Sequence, residues 1–119
     1  MYKRIHHIGI AVSDLADATR RYEKELGFTL AGKEIVESEE VEVATFQLGE
    51  SRIELLQSTN PNGVISKFIE RRGEGVHHVA VEVENLSREI NELKGRGVLV
   101  MDEKPRVGAG GHLVAFVHP

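Results

Sequence analysis

Ile8, Ile10 and Val12 alternate with His7, Gly9 and Ala11, and Val79, Val81 and Val83 alternate with His78, Ala80 and Glu82. Alternation at period two predicts two strands, each with branched aliphatics on one face and small or polar residues on the other. The aliphatic faces are expected to pack under helices, and the faces carrying His7 and His78 to stay open toward a ligand. The two strands also match one another. Ile5–Val12 lines up with Val76–Val83 at a constant offset of 71 residues, with His6/His77, His7/His78 and Val12/Val83 identical. Two copies of one supersecondary unit, each too small to bury a core alone, account for this.

A helix is predicted after each strand. Ser13-Asp14 caps a run in which Leu15, Ala18, Tyr22 and Leu26 share one face, and Gly27 ends it. In the second copy Glu84-Asn85 precedes Leu86, Ile90 and Leu93, with Gly95 and Gly97 at the exit. Three strand-like runs follow the first helix, Phe28–Val36, Val41–Leu48 and Arg52–Gln57, so the first copy reads β-α-β-β-β. Asn60-Pro61-Asn62-Gly63 breaks the pattern, and Val64, Ile65, Phe68 and Ile69 then form a short amphipathic connector helix up to Gly73. The second copy repeats β-α-β, continues into a Gly-rich loop at Val107–Gly111, and ends in a strand over Leu113–Val117.

The fold class expected from this pattern is α+β. Two pseudo-twofold related βαβββ modules would form a U-shaped mixed sheet. Module one spans 1–59, the connector 60–73 and module two 74–119, all within one domain of 119 residues. Module two is expected to be incomplete, because the strand matching Arg52–Gln57 would fall after Pro119.

Composition narrows the chemistry. The chain has no cysteine, which excludes disulfides, thiolate metal sites, iron–sulfur clusters and a cysteine nucleophile. Any metal must be held by nitrogen and oxygen from the six His and nineteen Asp and Glu. A formal net charge of −4, with only two Tyr, four Phe and no Trp, argues against a nucleic-acid surface. No apolar run approaches the roughly 20 residues of a membrane helix, and no signal peptide leads the chain, so a cytoplasmic protein with no membrane partner is expected.

Strand parity places the candidate site. In Ile53-Glu54-Leu55-Leu56, Ile53 and Leu55 belong with the core, which puts Arg52, Glu54 and Leu56 on the opposite face. Glu54 is a single carboxylate inside an apolar run, and a buried carboxylate needs a partner. A divalent metal shared with His7 and His78 would supply it; two imidazoles and a carboxylate suit zinc, iron, cobalt, nickel or manganese better than calcium. His6 and His77 have the wrong parity and are read as structural. His112 and His118 are read as structural or exposed, and Glu37–Glu40 as a solvated turn. Gly108-Ala109-Gly110-Gly111 lacks the spacing of a dinucleotide fingerprint and is either a mobile loop over a ligand or a hairpin.

The duplicated unit, with His on the first strand of each copy and Glu on the fourth strand of the first, resembles the vicinal oxygen chelate superfamily. Within it, Ile5–Val12, Ile53–Leu56, Gly73–His78, Lys104–Gly111 and Phe116–Pro119 resemble the methylmalonyl-CoA epimerases. The resemblance implies His7, Glu54 and His78 as ligands of one divalent ion, and an acyl-CoA thioester as substrate. It implies interconversion of (2R)- and (2S)-methylmalonyl-CoA by proton removal and return at C2, through a metal-stabilised enolate. A fourth ligand, a Glu a few residues beyond the family's His-Pro that is also a candidate acid/base group on one side of C2, would lie past Pro119. That implies either a piece of a longer protein or a protein that has lost a ligand and a catalytic group; in both cases the chain as it stands lacks part of the family's catalytic set. A second acid/base group is needed on the other side of C2. Glu42 is the candidate if it faces the cleft from across the sheet; otherwise it is a solvent-facing residue. A homodimer is expected from the superfamily and the open sheet edges. Glyoxalase I-type lyases resemble the chain in fold and ligands, extradiol dioxygenases in ligands though they are much longer, and a metal-free binding protein of the same fold is the non-catalytic alternative.

Overall fold

The computed structural model describes residues 1–102 and 104–118. Its elements are β1 (Tyr2–Ala11), α1 (Leu15–Lys24), β2 (Leu30–Val36), β3 (Val41–Leu48), β4 (Ser51–Ser58), α2 (Val64–Arg72), β5 (Gly75–Val83), α3 (Leu86–Gly95), β6 (Arg106–Val107) and β7 (Leu113–Val114). Five strands form one mixed sheet in the order β2-β3-β4-β1-β5, and β6 pairs with β7 separately. The α+β class and the βαβββ order of the first half are those expected. Within the chain, Ile5–Val81 forms one compact unit, and Met1–Arg4 with the segment from Glu82 on forms another.

In the first unit, β1 runs parallel to β4, with His7 beside Arg52, Gly9 beside Glu54 and Ala11 beside Leu56. β3 runs antiparallel to β4, with Thr45 opposite Glu54, Ala44 opposite Leu55 and Phe46 opposite Ile53. Residues paired across neighbouring strands share a face. One face therefore carries His7, Gly9, Ala11, Glu54, Leu56, Val43 and Thr45; the other carries Ile8, Ile10, Ile53, Leu55, Ala44 and Phe46. The second face is the core. Ala44, Phe46 and Leu55 are fully buried with Val12 and Leu15, and Ala18, Tyr22 and Phe28 pack against them.

Local sequence explains the helix that covers this core. Asp14 caps α1 by accepting a hydrogen bond from the backbone N–H of Asp17 at 3.0 Å. Gly27 turns the chain at φ +73°, and the Phe28 N–H then donates to the Tyr22 carbonyl at 3.1 Å. That return starts β2 at Leu30 rather than Phe28, and it leaves Leu26 exposed although it shares the helix's apolar spacing. The connector helix α2 starts at Val64 and stops before Gly73, as its pattern predicted, with Ile65 buried.

In the second unit, Asn85 accepts a hydrogen bond from Arg88 N–H at 3.1 Å and opens α3, which buries Ile90. Arg4 and Lys3 pair with Glu82 at 2.9 and 3.2 Å. The expected strand over Leu113–Val117 is shorter than predicted. Only Leu113–Val114 pairs, against Arg106–Val107, while Val117 makes an isolated bridge to Val100. Asp102 is the physical reason. Its carboxylate accepts the Phe116 N–H at 2.7 Å and pairs with Arg106 at 3.2 Å, so a side chain takes the donor a strand partner would use. Val107–Gly111, left open between loop and hairpin, contributes Val107 to β6 and then a tight turn over Ala109–Gly111. Pro119, the last residue of the expected His-Pro pair, lies outside the described residues. The aliphatic face of β5 is also less covered than expected, with Val79 and Val81 about half exposed. Among the described residues no helix is long and apolar enough to cross a membrane.

Phe46 is fully buried, with its ring 5.7 Å from that of Tyr22 and 6.1 Å from that of Phe28. Phe46→Ala is expected to cost about 3–5 kcal/mol in urea unfolding. A loss below about 1 kcal/mol would mean that this cluster is not the core.

Candidate metal centre

Three adjacent strands deliver the candidate ligands to one face. β4 brings Glu54, β1 brings His7, and β5 brings His78 across β1. All three belong to the unit Ile5–Val81. His7 Nε2 stands 3.1 Å from His78 Nε2, and Glu54 Oε1 stands 3.5 Å from His7 Nε2. Gly9 makes this possible. A Cβ on residue 9 would fall 2.6 Å from His78 Nδ1 and 2.7 Å from His78 Nε2, so the imidazole occupies the volume a side chain would need. The face is more closed than the sequence suggested: His7 is 8% exposed and Glu54 4%.

Burial dominates the electrostatics. It pushes the Glu54 carboxyl up to about 7, with Arg52 opposing the rise and Glu39 and Glu34 adding to it. It pushes His78 down to about 4, helped by His77, and it lowers His77 too. Each group is drawn toward its neutral form because water cannot solvate the charged one.

Among the described residues, no group of three or more His, Asp or Glu side chains is arranged to hold a metal ion. The chemistry of the donor set, two imidazoles and a carboxylate, nevertheless suits a divalent ion. Ligand atoms about 2.1 Å from a shared ion lie roughly 3.0–3.4 Å apart when they subtend 90–110°. The 3.1 Å Nε2–Nε2 separation falls in that range, and the 3.5 Å Nε2–Oε1 separation lies just outside it. Two imidazoles and a carboxylate on one face, with His7 and Glu54 buried, would be relieved by a divalent cation.

The remaining site residues fall as follows. Glu42 pairs with Gln57, whose side chain accepts the Leu15 N–H at 2.7 Å, and it shares the face of Ala44 and Phe46. It is therefore on the helix-packed side, opposite Glu54, and not across the cleft from it. His6 and His77 are not bystanders: His6 Nδ1 lies 2.9 Å from His7 Nδ1, and His77 Nδ1 lies 2.9 Å from His78 Nδ1. Parity had set them aside, but Nδ1 is bonded directly to Cγ and sits near the backbone, where adjacent side chains can still meet. The tandem His-His in both repeats was the signal for this. His112 flanks the turn before β7 and His118 follows the Val117 bridge, both in the other unit.

The chain belongs to the Glyoxalase/Bleomycin resistance protein/Dioxygenase superfamily, which it matches over residues 6–116. It is 38% identical over 116 residues to the uncharacterized protein YqjC of Bacillus subtilis, covering 98% of this chain and 83% of that one. It is 33% identical to an ethylmalonyl-CoA/methylmalonyl-CoA epimerase of Cereibacter sphaeroides, covering 100% of this chain and 90% of that one. In structure it is similar to a variant of Streptomyces coelicolor methylmalonyl-CoA epimerase solved in complex with 2-nitronate-propionyl-CoA. The TM-score is 0.96 at 31% identity, covering 100% of this chain and 87% of that one.

Two predictions concern this centre. In chelator-treated protein, Glu54 has a folded pKa of about 7 against an ordinary value of 4.5, so the folded state holds its proton more tightly. Its contribution to stability is full below pH 4.5 and is lost as pH rises to about 7, an effect on the order of 2–3 kcal/mol. His78, lowered from 6.5 to about 4, contributes above pH 6.5 and loses that contribution as pH falls toward 4. The unfolding free energy of wild type minus that of Glu54→Gln should therefore fall across this interval. A flat difference would show that Glu54 is solvated. Separately, Gly9→Ala should keep the extended backbone of β1 but displace the His78 ring, weakening Zn2+ binding by at least about tenfold in calorimetry. Unchanged affinity would mean that His78 does not need its place over Gly9.

Proposed function

We propose that the protein is a metal-dependent epimerase that interconverts (2R)- and (2S)-methylmalonyl-CoA. The observation that carries this is the convergence of His7, Glu54 and His78 on one nearly dry face, in a chain similar to acyl-CoA epimerases along its whole length. A divalent ion at this point would supply Lewis-acid stabilisation of negative charge building on a thioester oxygen.

The side chains have separate parts in this scheme. His7 and His78 offer neutral nitrogen donors, favoured at His78 by the burial that lowers its pKa. Glu54 would supply the negative charge of the centre, ionised at neutral pH once a cation offsets its burial. Thr45, opposite Glu54 on β3, offers a hydroxyl on the same face. Epimerisation also requires a proton to leave C2 on one side and return on the other. Glu42 is not placed to do either.

That placement favours one second reading, in which the metal centre is kept and the reaction is another of the same superfamily, such as a glyoxalase-type lyase. Its distinguishing result is metal binding without exchange at C2.

Deuterium uptake at C2 of methylmalonyl-CoA, followed by NMR in D2O, tests the proposal. Uptake is expected to require added divalent metal, and to fall by more than about 100-fold in His78→Ala and in Glu54→Gln. Glu42→Gln is expected to leave it within about twofold, since its side chain lies on the helix-packed face. Stoichiometric metal binding with no uptake would overturn the epimerase reading and favour the second one. Neither metal binding nor uptake would sink both.

A further inference from the structure

Four imidazoles form a continuous hydrogen-bonded row through the site. The contacts run from His6 Nδ1 to His7 Nδ1 at 2.9 Å, from His7 Nε2 to His78 Nε2 at 3.1 Å, and from His78 Nδ1 to His77 Nδ1 at 2.9 Å. Successive rings meet edge to face, with centroids 5.2 Å apart at each step. The far end is anchored by Phe68 of α2, whose ring lies 4.9 Å from that of His77. All five residues lie in the unit Ile5–Val81, and the row repeats the 71-residue offset of the sequence.

We propose that His6 and His77 are positioning residues that accept hydrogen bonds from the Nδ1–H groups of His7 and His78, so that both Nε2 lone pairs face the point beside Glu54. This rests on the reading of His7, Glu54 and His78 as metal ligands. Proton counting supports it. A neutral imidazole carries one N–H, and each of the three contacts in the row needs one proton. Without a cation the row must run in one direction: one of the two central Nε2 atoms donates to the other. With a cation, both Nε2 atoms must present lone pairs, so both Nδ1 atoms carry the protons and both outer rings must accept. One half of the row already has that arrangement. In the other half the inner ring's proton moves from Nε2 to Nδ1, and the outer ring's from Nδ1 to Nε2. Every ring keeps one proton and no charge is created. An outer partner that fixes the tautomer of a metal-bound His commonly changes affinity by about 10–100-fold.

The experiment is Zn2+ binding by calorimetry at fixed pH, with long-range 1H–15N NMR of the histidine rings in the Zn2+-loaded wild type. His6→Phe and His77→Phe keep a ring and remove the acceptor, and each is expected to weaken Zn2+ binding about 10–100-fold. His6→Asn and His77→Asn return an oxygen acceptor near the Nδ1 position and are expected to recover most of the loss. The spectra are expected to show His7 and His78 protonated at Nδ1, and His6 and His77 protonated at Nε2. Phe variants that bind Zn2+ as tightly as wild type, Asn variants no better than Phe, or an unprotonated Nδ1 on His7 or His78 would overturn the proposal. Because the spectra use wild type, a variant that fails to fold does not shield it. Wild-type protein that does not bind Zn2+ would overturn the metal centre and this proposal together. Tight wild-type binding that the Phe variants leave unchanged would overturn this proposal alone.

Discussion

The missing side chain at Gly9 is the constraint on which the site depends. β1 lies between β4 and β5, so Glu54 and His78 come from strands separated by a whole strand width. His78 can meet His7 only by lying across the backbone of β1, and it does so in the volume where residue 9 would otherwise project. A glycine inside a strand costs packing and backbone entropy. Here the cost is local, and the gain is that three adjacent strands speak to one point. His7, one step along the same face of β1, then fills the gap between the other two.

Closeness in a dry environment sets the electrical character of that point. Burial draws Glu54 and His78 toward their neutral forms by raising one pKa and lowering the other. A carboxylate and an imidazolium side by side would solve the problem as an ion pair, yet Glu54 resists its negative charge and His78 its positive one. A neutral imidazole with an available lone pair is a poor ion-pair partner and a good metal ligand. The same burial that destabilises an ionised Glu54 strengthens any interaction it makes with a cation, because little water competes.

Much of this was legible because strands and repeats leave simple marks. The 71-residue offset paired His7 with His78 before any coordinates, and alternation in Ile53–Leu56 put Glu54 on the far side from the core. Glu42 stays open between cleft and solvent in the sequence, because a one-residue change of parity moves a side chain to the other face. Val41–Leu48 is apolar enough on both faces to hide that choice. Phe46 and Ala44 held the answer: the strand's one aromatic is fully buried, it marks the helix-packed side, and Glu42 shares its parity. His6 and His77 meet the rings of His7 and His78 although parity sets their Cβ atoms on the other face. Parity describes where Cβ points, whereas Nδ1 lies close enough to the backbone for neighbours on opposite faces to bond. In the second half, the backbone-seeking carboxylate of Asp102 broke a strand that hydrophobic spacing alone had drawn too long.

The distribution of the site over the sheet separates two questions that family membership tends to merge. The candidate metal donors come from β1, β4 and β5, of which β1 and β5 repeat one another at the 71-residue offset. The proton-handling half of an epimerase must come from groups facing the same point, and β3 turns Val43 and Thr45 toward it while Glu42 faces the opposite side. A fold shared with epimerases therefore supports the electrophilic half of the chemistry more strongly than the basic half. The two halves are carried by different strands, so they can change independently. The register of β3 therefore decides which of its side chains share the face of Glu54: Val43 and Thr45 do, and Glu42 does not.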